Sequence, residues 1–339
     1  MSKKIIGLSA YYHDSAVCYV EGGEIKFASQ EERFSRIKND ETFPNLSLKY
    51  LLNKFSITLN EIDEIIFYEK PLLKFERLME TYVTNVPYGF SSFKKAIPLW
   101  SKEKLFQKEN IFKELKNIDQ SFNDINKISF SEHHLSHAAS AFYPSPFEEA
   151  IILTMDGVGE WSTTSICIGK KNKITKVKDI DYPDSLGLLY SSFTYFLGFK
   201  VNEGEYKVMG LAPYGETKYK DLIYENLIDV KDDGSFMLNQ KYFNYSIGLT
   251  MTNKNFSKLF NIKPRKIDSP ILQIHMDIAA SVQVVLEEIV IKICKNLSNN
   301  IKIKNLCLAG GVALNCVTNG KVLNQNFFEN IWIQPAAGD

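Results

Sequence analysis

The chain contains the same pattern twice, and this internal repeat is the feature that most restricts its fold. In each copy, three short apolar runs are separated first by a polar turn and then by a turn rich in Gly, Glu, Lys or Asn. The runs are 5–10, 16–20 and 25–28 in the first copy and 151–155, 164–168 and 174–177 in the second. Such runs predict three strands in each copy, with a polar loop after the first strand and a hairpin turn after the second. Helical segments are predicted after each copy, at 46–55 and 185–196.

Two copies of antiparallel strands, each followed by helices and further strands, predict an α/β fold in two similar lobes. This arrangement resembles the actin, sugar-kinase and heat-shock ATPase superfamily, whose lobes are ribonuclease H-like, with a nucleotide cleft between them. Tight turns between strands can point successive backbone N–H groups at an anion, which favours phosphate there. We expect an N-terminal lobe at 1–149 and a C-terminal lobe at 150–339, the latter incomplete at its C-terminus.

The two turns of the repeat supply candidate catalytic residues. Asp14 and Asp156 take equivalent places, where a carboxylate can hold a cation or accept a proton. An isolated turn aspartate often caps its own backbone, but the repeat favours a functional role. His13 has no counterpart in the second copy, and an imidazole with a pKa of about 6.5 suits a general base. The candidate catalytic residues are therefore His13, Asp14 and Asp156, with an ordinary loop histidine as the alternative for His13.

Three of the five histidines fall within residues 133–137. His133 and His137 stand four residues apart, so on a helix they project from one face. This spacing lets a metal ion take two imidazoles from one rigid element. His134 points to another face. The alternative is a polar helix start with unrelated histidines.

A third segment indicates nucleotide binding. Gly310-Gly311 separates a predicted strand at 305–309 from a predicted helix at 312–317. Glycines let a ligand lie against the backbone, and a helix N-terminus favours negative charge; tight strand–helix packing is the alternative. Lys207, in a glycine-bearing loop, is a candidate partner for phosphate, or else a solvated lysine. The candidate nucleotide-binding residues are Lys207, Gly310, Gly311 and Asn315.

Composition excludes several classes of protein. In 339 residues, 40 basic side chains balance 40 acidic ones, so no net charge recruits nucleic acid or an anionic membrane. The five cysteines form no CxxC pair and are typical of a reducing compartment. No apolar run is long enough to span a membrane, and the N-terminus lacks the pattern of a signal peptide. We therefore expect a cytoplasmic protein.

Seven segments, in order along 5–339, resemble the O-carbamoyltransferase family, which includes nodulation-factor, cephamycin and tobramycin carbamoyltransferases. The region 57–126 resembles it least. The seven segments are 7–16, 30–36, 133–142, 154–160, 205–215, 308–315 and 334–339.

The resemblance implies a transferase that works in two steps. A C-terminal domain makes carbamoyl-adenylate from carbamoyl phosphate and ATP. The N-terminal domain then passes the carbamoyl group to a hydroxyl of a small acceptor, such as a sugar, an antibiotic or a nodulation factor. The chain matches only this N-terminal domain, so we expect a carbamoyl-adenylate-forming domain or partner chain, and both a truncated sequence and a split enzyme stay open.

The resemblance also implies a metal site of His133, His137 and Asp339, holding Fe²⁺ or else Zn²⁺. The aromatic segment 82–100 is expected either to line the acceptor pocket or to pack in the core. The alternative function is a non-catalytic, nucleotide-binding accessory subunit or an ATPase-type module of the same fold.

Overall fold

Two units make up the part of the chain that the computed structural model describes, residues 2–100 and 104–338. The first unit comprises residues 2–80 and 93–136, and the second comprises 81–92 and 137–338. The boundaries between the two units, at 80/81, 92/93 and 136/137, each fall inside a helix. The lobe boundary at 149/150 stays a prediction.

The first unit is built on a mixed five-stranded sheet. Its strands are β1 (Lys4–Ser9), β2 (Ala16–Glu21), β3 (Glu24–Gln30), β4 (Glu64–Phe67) and β5 (Ile128–Phe130). Their order is β3-β2-β1-β4-β5, with β1, β2 and β3 antiparallel and β4 and β5 parallel to β1. Alternate residues of β1, Ile6 and Leu8, are buried, as a strand with one face on a core requires.

Along the chain, helices lie between these strands and follow the last of them. They are α1 (Glu32–Ser35), α2 (Asn45–Phe55), α3 (Pro71–Thr84), α4 (Phe90–Leu99), α5 (Gln107–Ile118) and α6 (His133–Phe142). Helix α2 confirms the helix predicted at 46–55, and its buried Leu48 and Leu51 join the core of the first unit.

The second unit contains a mixed five-stranded sheet of the same design and a separate two-stranded sheet. The strands are β6 (Glu149–Met155), β7 (Ser162–Lys170), β8 (Lys173–Asp181), β9 (Ile228–Val230), β10 (Phe236–Leu238), β11 (Asn305–Ala309) and β12 (Asn330–Ile333). The large sheet has the order β12-β11-β6-β7-β8, with β11 and β12 parallel to β6. This is the order and direction of the first sheet, strand for strand. The predicted α/β fold with a repeated, ribonuclease H-like half is confirmed.

The helices of the second unit are α7 (Leu186–Phe196), α8 (Glu205–Leu211), α9 (Lys220–Asn226), α10 (Lys254–Leu259), α11 (Gln273–Asn300) and α12 (Cys316–Leu323). Helix α7 confirms the prediction at 185–196, with Ser185 as its N-cap. The single helix predicted at 312–317 is wrong. A 3₁₀ turn at Gly311–Leu314 comes first, and α12 begins only after Asn315, whose side chain caps it.

Among the described helices, none has the length and the apolar character needed to cross a membrane.

Candidate functional site

Helix α6 carries the histidine pair that the sequence singles out. His133 and His137 are both buried, with 2% and 6% of their surface exposed. The ring of Tyr68, which directly follows β4, lies 5.5 Å from the ring of His133. Both histidines belong to one continuous helix, so the helix itself holds them one turn apart on the same face.

Asp156, the residue after β6, lies beside this pair. Its Oδ2 is 3.9 Å from Nε2 of His137. One ligand atom from each of His133, His137 and Asp156 lies within 4.8 Å of the others. Two imidazole nitrogens and one carboxylate oxygen fit Fe²⁺ or Zn²⁺, with positions left open for other ligands. Asp339, the carboxylate implied by the resemblance, lies outside the described residues.

Backbone contacts fix the position of Asp156. The N–H of Gly311 donates to Oδ1 of Asp156 at 3.0 Å, which leaves Oδ2 on the side of His137. The hydroxyl of Ser185 donates to the carbonyl oxygens of Asp156 and Gly157 at 3.0 and 2.7 Å. A Cβ at Gly187 would lie 2.5 Å from the Asp156 carbonyl oxygen, so only glycine lets α7 approach this closely.

The paired glycines after β11 have a structural task of their own. Gly310 has a φ of +85°, and a Cβ there would lie 2.3 Å from the carbonyl oxygen of Met155. Glycine is therefore required for β11 to turn tightly over the end of β6. Gly311 is exposed and holds Asp156 through its amide. Nucleotide contact at these two residues stays a prediction.

Of the other two residues predicted to bind nucleotide, Lys207 lies on α8 and Asn315 is the N-cap of α12. Asn315 is buried, and its Oδ1 accepts from the amide of Thr318 at 3.0 Å while its Nδ2 donates to Gln283 at 2.9 Å. Its side chain thus caps α12 and ties it to α11. Lys207 lies on the exposed side of α8, not in a loop, with its ammonium 5.9 Å from the Phe199 ring.

His13 and Asp14 form a hydrogen-bonded pair in the turn between β1 and β2. The distance from His13 Nδ1 to Asp14 Oδ2 is 2.9 Å, and each side chain is 20% exposed. Asn39 donates to the other carboxylate oxygen at 2.9 Å. A carboxylate only accepts hydrogen bonds, so the imidazole proton belongs on Nδ1 and the lone pair on Nε2. This is the orientation of a general base.

The amides of the two turns are only partly available to an anion. Those of Tyr11 and Ser15 donate to backbone carbonyls of Glu41 and Asp40, both at 2.8 Å. In the second turn, the amide of Asp156 donates to the carbonyl of Thr163 at 2.9 Å. Backbone carbonyl groups further along the chain therefore accept hydrogen bonds from several of the N–H groups that were expected to bind phosphate.

The sequence predicts no functional role for Tyr12, Lys74 and Glu69, which lie near His13. The Tyr12 ring lies 4.5 Å from the His13 ring, and the Lys74 ammonium lies 5.5 Å from the Tyr12 ring. Lys74 pairs with Glu69, which is 2% exposed. The position of Glu69 could have indicated a functional role. It lies just beyond β4, which is parallel to β1, and ligands in α/β sheets bind at the carboxyl ends of strands.

Comparison with known proteins places these features in a family. Residues 4–339 match the family described as carbamoyltransferase N-terminus. Uncharacterized protein sll1178 of Synechocystis sp. is 56% identical, over 99% of this chain and 55% of its own length. Nodulation protein NolNO of Sinorhizobium fredii is 36% identical, over 98% of this chain and 45% of its own length. The chain thus spans about half the length of these relatives.

Two solved structures align with nearly the whole chain at much lower sequence identity. T. kodakarensis HypF aligns with a TM-score of 0.46 and 14% identity, over 99% of this chain and 46% of that one. Component A of the Acidaminococcus fermentans (R)-2-hydroxyglutaryl-CoA dehydratase aligns with a TM-score of 0.45 and 12% identity, over 99% and 93%. The family match extends over nearly the whole sequence, and the chain belongs to the carbamoyltransferase N-terminus family.

Proposed function

We propose that this chain transfers a carbamoyl group from carbamoyl-adenylate to a hydroxyl group of a small-molecule acceptor. Membership of the family supports the transferase class. The observation that carries the proposal is the 2.9 Å hydrogen bond between His13 Nδ1 and Asp14, which puts the imidazole proton on Nδ1 and the basic lone pair on Nε2.

In the proposed reaction, the acceptor oxygen attacks the carbamoyl carbon. The new C–O bond forms as the bond to the phosphate oxygen breaks, and AMP leaves with the electron pair. The proton of the acceptor hydroxyl passes to Nε2 of His13. Asp14 holds the imidazole in orientation and stabilises the positive charge that it gains. Asn39 in turn holds Asp14.

The metal centre of this proposal consists of His133, His137 and Asp156. Fe²⁺ or Zn²⁺ bound there would polarise a phosphate or carbonyl oxygen. We assign Asp156 to the metal, because its Oδ2 faces His137 and its Oδ1 is held by Gly311. Asp339 stays a predicted further ligand.

The nucleotide is proposed to lie at the exposed Gly311, beyond the carboxyl end of β11. This end of a parallel strand is where ligands bind in open α/β sheets. Carbamoyl-adenylate itself is proposed to come from carbamoyl phosphate and ATP on a further domain or partner chain, since the curated relatives are about twice as long. A cytoplasmic location stays part of the proposal.

The His13→Asn variant tests the proposed base. With synthetic carbamoyl-adenylate and an accepted hydroxyl compound, we expect transfer to slow about 10²–10⁴-fold, the usual contribution of a positioned base. Circular dichroism and metal content, both unchanged, are the controls for folding. A wild-type rate in the folded variant would remove His13 from the mechanism and point to Asp14.

A further inference from the structure

Tyr12, Lys74 and Glu69 form a polar and aromatic cluster in the first unit that the proposed transfer chemistry does not use. Tyr12 is 46% exposed although its ring lies 4.5 Å from that of His13. The Lys74 ammonium lies 5.5 Å from the centre of the same ring. An exposed aromatic ring near an imidazole and an ammonium group is a surface that a ligand can cover.

The ion pair behind Tyr12 is largely withdrawn from water. The side chains of Lys74 and Glu69 are 14% and 2% exposed. Removing two charges from water can cost more than their attraction returns, so such a pair is weak evidence for a stabilising role. Because Glu69 is more deeply buried than Lys74, it acts as the fixed counter-charge that holds the lysine, while Lys74 keeps a surface toward solvent.

The charge balance of the pair indicates the class of ligand. Lys74 offers three N–H donors, and Glu69 neutralises its charge. A neutralised donor beside an aromatic face suits an uncharged, hydroxyl-rich ring better than a free phosphate or a cationic amine. Sugar rings have this character, with oxygen atoms that accept hydrogen bonds and C–H faces that pack on phenol rings.

We infer that Tyr12 and Lys74 form the acceptor subsite, and that the acceptor is an uncharged sugar. This inference rests on the proposed function, because a base must lie within hydrogen-bond reach of the hydroxyl that it deprotonates. A sugar that packs on Tyr12 is therefore next to His13. Lys74 donates to a sugar oxygen, and Glu69 is a positioning residue that acts through Lys74.

Direct binding tests the subsite without any carbamoyl donor. The probes are maltotetraose and tetra-N-acetylchitotetraose, which are uncharged, and tobramycin, which is cationic, each titrated by calorimetry and by saturation-transfer NMR. We expect at least one uncharged oligosaccharide to bind more tightly than tobramycin. Tyr12→Ala and Lys74→Met should each weaken its binding about tenfold, and Glu69→Gln should weaken it by a smaller factor. Preferred binding of tobramycin, or no binding of either oligosaccharide at millimolar concentration, would overturn the inference.

Matched controls separate the subsite from general effects on the surface. Tyr50→Ala removes a tyrosine that is also 46% exposed but contacts Phe27 and Phe34 instead of His13. Lys26→Met removes the lysine of another ion pair, with Glu24. Both variants should bind sugar as the wild type does. Weakening of the same size in the controls would contradict the inference.

A transfer assay separates failure of the subsite from failure of the proposed function. With carbamoyl-adenylate present, Tyr12→Ala should raise the KM for the sugar about tenfold and change kcat little. The wild type could bind sugar through Tyr12 and yet transfer no carbamoyl group. This result would reject the proposed function but support the subsite. Transfer by the wild type with an unchanged KM in Tyr12→Ala and Lys74→Met would reject the subsite and leave the function standing.

Discussion

Asp156 shows how the role of one residue depends on contacts that are distant in sequence. Its place in the repeated turn marks it as a candidate functional group and predicts a catalytic role. The helix spacing of His133 and His137 predicted their common face correctly. Their approach to Asp156 was not predictable, because no local pattern shows that the end of β6 lies beside α6. Long-range contacts of this kind appear only in the folded chain.

At the scale of the residue, we predict that Asp156→Asn lowers the affinity for divalent metal at least tenfold. An amide carries no charge and is a weaker ligand than a carboxylate. Elemental analysis after anaerobic purification and dialysis measures the effect, with Asp179→Asn on β8 as the control. If the Asp156→Asn variant holds as much metal as the wild type, the carboxylate ligand of the metal must be another residue. Asp339 would be the first residue to test.

At the scale of the element, the segment from β11 to α12 combines two roles that the sequence did not separate. The Gly-Gly pair predicts a ligand-binding loop, with tight strand–helix packing as the alternative. For Gly310, the close contact with Met155 and the positive φ show that packing alone requires glycine. The helix start was placed too early, because Asn315 offers a better cap than the residues before it.

Two glycine substitutions in this segment should have opposite effects on stability. Gly310→Ala places a methyl group 2.3 Å from a backbone oxygen in a residue with φ of +85°, so we expect a loss of about 2 kcal/mol or more in the free energy of unfolding. Gly320→Ala lies inside α12 with nothing within 4 Å of the new methyl group, so we expect a gain of about 0.4–1 kcal/mol. Urea unfolding followed by circular dichroism measures both. Equal effects at the two positions would contradict the prediction.

At the scale of the whole molecule, the repeat was sufficient to predict the architecture. Short apolar runs between turns identified β1, β2 and β3 and their counterparts β6, β7 and β8, because strands with a buried face need such runs. The parallel strands β4 and β5 were harder, since they are short and lie in or next to 57–126, where the family resemblance is weakest. The identical order of the two large sheets could be observed only once all ten strands were in place.

The proposed division of labour predicts that this chain alone does not make carbamoyl-adenylate. Given ATP and carbamoyl phosphate, it should release no pyrophosphate above background, because that step is assigned to a further domain or chain. A coupled pyrophosphate assay measures this, with synthetic carbamoyl-adenylate and acceptor as the positive control for the folded chain. Pyrophosphate release that depends on carbamoyl phosphate would place both steps on this chain.

The hydrogen bond from Gly311 to Asp156 would make the proposed metal ion and the proposed nucleotide thermodynamically interdependent. A nucleotide that displaces the Gly311 amide must also disturb the carboxylate that faces His137, and a metal ion that draws this carboxylate away must disturb the amide. Linkage requires each ligand to change the affinity of the other by the same factor. The order in which metal and nucleotide bind therefore cannot alter the stability of the full complex, and loss of either ligand changes the affinity for the other by that factor.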